Sequence, residues 1–138
     1  MLKEIKNDYD KIREKMTQKI QELNQQITQI KKQIQIIEQN NLSDQQNQTI
    51  QKIKRQIYSI EFDILRVESN RSNMIYSKTF EDMCEYLDSH SGIGRIFAES
   101  FMREIEKNIQ LMKQLVMMED QIIKIKQEIR MIEKDLKI

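Results

Sequence analysis

Apolar residues in the first part of the chain recur at Leu2, Ile5, Tyr9, Ile12, Met16, Ile20, Leu23, Ile27, Ile30, Ile34 and Ile37, in steps of three and four. That spacing puts one side chain per turn on a single stripe of an α-helix, whereas a half-buried strand alternates every second residue. The step from Met16 to Ile20 repeats a four, a stutter that locally unwinds a left-handed supercoil. The stripe resumes at Ile50, Ile53, Ile57, Ile60, Ile64 and Val67. A helix from Leu2 to Ile37 would measure about 50 Å at the standard rise, and so narrow a stripe does not hold such a helix together alone. It requires other helices to pack against.

Composition points the same way. The 138 residues contain no proline and two glycines, Gly92 and Gly94, so nothing breaks a helix elsewhere. With 33% charged and 38% hydrophobic residues, only a thin apolar stripe per turn is available, and a sheet fold would need turn residues throughout. The expected class is all-α: three long helices in antiparallel hairpins, with a coiled-coil arm and a helical head rich in methionine and aromatics.

Residues 1–68 are expected to form the arm, reversing near 40–46, where Ser43 and Gln46 make a capping-box pattern. Residues 69–138 are expected to form a helical hairpin head and a C-terminal coiled-coil seam, reversing near 89–94 with a glycine as left-handed cap. The arm holds 13 of the 17 glutamines. The head gathers Tyr76, Phe80, Tyr86, Phe97 and Phe101 with Met74, Met83, Met102, Met112, Met117 and Met118. The polar run at 69–73 is expected to stay helical, with Arg71 at a core position.

The third helix carries two apolar lines, Phe97, Phe101, Ile105, Ile109, Met112, Val116 and Leu111, Leu115, Met118, Ile122, Ile125, Ile129, Ile132, Leu136. Two lines imply two buried faces. The surface where they overlap is the expected partner-binding site, represented by Phe101, Ile105, Met112, Val116, Met117 and Ile123.

Signals for catalysis are weak. His90, the sole histidine, and Cys84, the sole cysteine, read as a loop residue and a small buried thiol, and no metal-ligand spacing is present. Glu81, Glu85 and Asp88 share a helix face, which reads as solvated, and Gly92-Ile93-Gly94 lacks the third glycine and preceding strand of a nucleotide fingerprint. No catalytic residue, cofactor or metal is expected.

A lone thiol, an N-terminus of alternating charge and the lack of an apolar run long enough to span a bilayer lead to the expectation of a soluble cytoplasmic protein. Folding the first hairpin would bring Lys31 and Lys32 level with Lys52, Lys54 and Arg55, a basic belt suited to an acidic filament surface or anionic lipid. The chain's net charge is only +1, and no aromatics interleave the belt, so nucleic acid is not an expected partner.

These features together predict a non-enzymatic coiled-coil scaffold or linker subunit. Its partners would be other helical proteins or copies of itself, in a cytoskeletal, ciliary or microtubule-associated assembly. The alternative is a membrane-trafficking tether or adaptor that binds acidic surfaces.

Overall fold

The structure, a computed structural model, describes residues 2–71 and 91–138. Within them the chain is all-α, with helices α1 (Leu2–Glu38), α2 (Asp44–Arg71) and α3 (Ser91–Leu136) and no strand.

The turn between α1 and α2 is built from side chains. At the end of α1 the N–H groups of Gln39 and Asn40 donate to the carbonyls of Ile36 and Ile37 at 3.3 and 3.0 Å. The Asn40 amide adds a bond to the Ile36 carbonyl at 3.1 Å, which satisfies acceptors that a helix end leaves open. At the start of α2 the Ser43 N–H donates to Gln46 Oε1 at 2.9 Å, and the Gln46 N–H donates to Ser43 Oγ at 3.1 Å. This reciprocal pair is a capping box, and it starts the second helix within five residues of the end of the first.

Gly92 and Gly94 behave differently from expectation. Both lie in the first turn of α3, and no described glycine has a positive φ. Of the stretch 89–94, residues 91–94 are helix, where the missing Cβ is tolerated near an N-terminus. Residues 89 and 90 lie outside the described residues, as do Met74, Tyr76, Phe80, Met83, Cys84, Tyr86 and the acidic face at Glu81, Glu85 and Asp88.

The chain forms two compact units. Unit 1 combines Met1–Gln18 with Val67–Gln114, and unit 2 combines Lys19–Arg66 with Leu115–Ile138. Each unit is assembled from two segments distant in sequence. Laterally packed helices share a core with whichever stretch lies beside them, so compactness cuts across the order of the chain.

In unit 2 the ion pairs give the helix directions. Lys31 meets Glu61 and Lys54 meets Glu38, each at 2.8 Å, so numbering rises along α1 as it falls along α2: the two are antiparallel. Lys19 pairs with Glu119, and Gln33 donates to Glu133 at 3.4 Å, both at an offset of 100 residues, so α1 and α3 run parallel. Three isoleucine-rich seams meet inside. Ile30, Ile37, Ile50, Ile53, Ile60, Leu115, Ile122 and Ile129 are each at most 1% exposed. Fully burying such a side chain contributes roughly 1.5–3 kcal/mol, so the core outweighs the small stabilisation from the exposed ion pairs around it.

Unit 1 has a mixed core of Tyr9, Met16, Val67, Ala98, Phe101 and Leu111, with Asn108 buried among the polar residues. The Tyr9 and Phe101 rings lie 5.6 Å apart at 57°, a tilted arrangement that suits the ring quadrupoles. Arg13 sits over the Tyr9 ring at 5.7 Å. Arg71, expected at a core position, is half-buried and donates to Thr17 Oγ1 at 2.6 Å.

Candidate interaction surfaces

Which side chains of α3 are left for a partner follows from which seam the core uses. The buried line passes through Ala98, Phe101, Asn108, Leu111, Leu115, Met118 and Ile122, a course that continues through a polar residue at 108. In unit 2 this leaves Val116, Met117 and Ile123 turned out of the core.

The six residues expected at a partner surface separate accordingly. Phe101 is fully buried against Tyr9, and that expectation is corrected: its ring is part of the core of unit 1. Ile105 and Met112 are half-buried. In unit 2, Val116, Met117 and Ile123 are exposed, Met117 by 64%. Unit 1 has its own exposed pair, Met102 and Ile109.

Unit 2 also presents apolar side chains that sequence reasoning passed over. Tyr58, Phe62 and Leu65 on α2 are 75%, 56% and 62% exposed, and Arg66 covers the Phe62 ring at 5.4 Å. Their steps of four and three give one exposed strip on α2. The signal was in the sequence, hidden beside the stronger isoleucine ladder.

The basic belt does not form as one patch. Consecutive helical residues diverge by about 100°, so Lys31 and Lys32 point into different interhelical grooves. Lys31 and Lys54 line the α1–α2 groove with Glu38 and Glu61, the carboxylates that pair with them. Lys52 lies in an α2–α3 groove and reaches Glu128 at 4.0 Å. Arg55 is exposed on α2. Lys32 faces an α1–α3 groove together with Gln29, Gln33, Lys126 and Arg130.

The Tyr9 phenol titrates above its ordinary range. Burial raises its phenol above the ordinary 10.0 by penalising the phenolate; Arg13 opposes this, while Glu104 and Asp10 add to it.

No described helix is long and apolar enough to cross a membrane. Neither a protein-family model nor a solved structure matches this chain.

Proposed function

We propose that the protein is a non-enzymatic coiled-coil scaffold or linker subunit that assembles with other helical proteins or with copies of itself. The observation that carries this reading is in unit 2: three seams close a core, and α3 still presents Val116, Met117 and Ile123 to solvent. Exposed apolar side chains at helical spacing are what a partner helix needs in order to dock. The strip Tyr58, Phe62 and Leu65 offers a second such face on α2.

Mechanistically, the closed core of unit 2 keeps its helices fixed while the outward residues select a partner. Long helices with a charged exterior suit cytoskeletal, ciliary or microtubule-associated assemblies in the cytoplasm, and that is the class we assign. The tether alternative loses support, since Lys31, Lys52 and Lys54 of the basic belt are matched by carboxylates.

Affinity purification from the native source, followed by mass spectrometry, tests the proposal. Changing Val116, Met117 and Ile123 to serine should remove the recovered partners, while changing exposed Gln25, Gln48 and Gln51 should not. Equal recovery with both sets would reject the α3 face as the selective surface.

A further inference from the structure

The grooves of unit 2 differ in how their cations are matched: among the described residues, Lys124 in the α2–α3 groove has no ion pair within range but shares that groove with the Glu128 carboxylate. Lys19, Lys31, Lys52 and Lys54 each reach a carboxylate on a neighbouring helix. The α1–α3 groove lined by Gln29, Lys32, Gln33, Lys126 and Arg130 has no carboxylate in its lining. Among the described residues, none of its three cations has an ion-pair partner. Three like charges on one concave surface repel each other, and an outside anion would relieve that repulsion.

The lining also limits what such an anion can be. It contains no apolar side chain, whereas a docking helix draws its affinity chiefly from burying apolar anchors. It is rich in donors: two ammonium groups, a guanidinium fork and two amides. Gln33 already donates to the Glu133 carboxylate, which holds its amide and leaves the cationic groups for an external acceptor. A compact ligand with several charged oxygens satisfies this set, and the planar guanidinium binds phosphate oxygens in pairs. No aromatic side chain lines the groove to stack a base, so nucleic acid fits it less well.

We infer that the groove between α1 and α3 in unit 2 binds a phosphate-bearing ligand through Lys32, Lys126 and Arg130. Its source is either a free polyphosphate or the phosphomonoester headgroup of a lipid. The site is independent of the apolar face of α3, so it stands or falls separately from the scaffold reading.

The test uses the full chain and two probes, inorganic pyrophosphate by calorimetry and vesicles of phosphatidylcholine with or without phosphatidic acid by flotation. The Lys126→Gln, Arg130→Gln variant should weaken binding by at least about tenfold, as expected for losing charge-assisted bonds. An Arg103→Gln, Lys113→Gln variant, with the same change in net charge at exposed residues outside the groove, should bind as the unaltered chain does. Thermal melting confirms that all three chains are folded. Binding to pyrophosphate assigns a free ligand, and binding to phosphatidic acid vesicles alone assigns a headgroup. Binding to neither probe overturns the inference, as does equal loss in the control variant. Tight binding of a DNA duplex that pyrophosphate does not displace also overturns it.

Discussion

The two units reach a buried core by different means. Unit 2 uses almost only isoleucine, relieved by Leu23, Leu115 and Met118, on three seams that keep their three-and-four spacing. Unit 1 combines an aromatic pair, a methionine, a small residue and a buried asparagine. A β-branched side chain is stiff, so a repeated isoleucine seam specifies its packing through spacing alone. The mixed core depends on individual fits: Ala98 and Phe101 occupy successive turns, with the Phe101 ring against Tyr9. Regularity makes a core legible, and irregularity makes each residue matter separately.

Substitutions in the two cores separate them most strongly. Phe101→Ala should cost about 3–5 kcal/mol and Ile30→Ala about 2–5 kcal/mol in urea unfolding. The milder Ile30→Val should cost only about 0.5–1.5 kcal/mol, because it keeps the β-branch and the seam. Hydrogen exchange sharpens the contrast: Phe101→Ala should raise exchange chiefly in 91–114 and Ile30→Ala in Lys19–Arg66. Identical exchange patterns would mean that the units do not differ as described.

Capping comes next. Ser43→Ala removes one half of the box that starts α2 and should cost roughly 1 kcal/mol, with Ser43→Asp restoring most of it. A loss confined to 44–50 in hydrogen exchange would confirm the local origin.

The buried tyrosine gives unit 1 a pH response. A phenol whose folded pKa is raised binds its proton more tightly than in the unfolded chain, so its contribution is fully present below 10.0 and declines as pH rises through the folded value. Melting temperatures should therefore fall more steeply above about pH 10 in the unaltered chain than in Tyr9→Phe. Parallel curves would contradict the burial of that hydroxyl.

Ion pairs rank last. Lys31 and Glu61 are half-exposed, and Lys31→Ala should cost no more than about 1 kcal/mol, shrinking further in high salt.

Much of this architecture could be read from the sequence. The seams of α1 and α2, the side-chain turn at Ser43 and Gln46 and the all-α class follow from spacing and from the lack of helix breakers. The course of the core through α3 was harder to see. Stepping back from Leu111 by three reaches Asn108, and a reading guided by hydrophobicity goes instead to Ile109, which is exposed. Phe101 was misplaced for a related reason, because an aromatic looks the same in sequence whether it fills a core or meets a partner. The basic belt failed on geometry, since adjacent lysines on a helix do not share a face. Lys32, Lys126 and Arg130 converge only through the parallel course of α1 and α3, which heptad spacing on each helix does not reveal.

In unit 2, α3 turns Leu115, Met118 and Ile122 into the core and Val116, Met117 and Ile123 outward, and two neighbouring residues show that division most sharply. Met117 is 64% exposed and Met118 is 5% exposed. Thiol labelling of Met117→Cys and Met118→Cys, each in a Cys84→Ser background, measures that difference in the folded chain. Labelling should be rapid at 117 and strongly suppressed at 118 until denaturant is added. Equal rates, or protection at 117 with labelling at 118, would contradict that division.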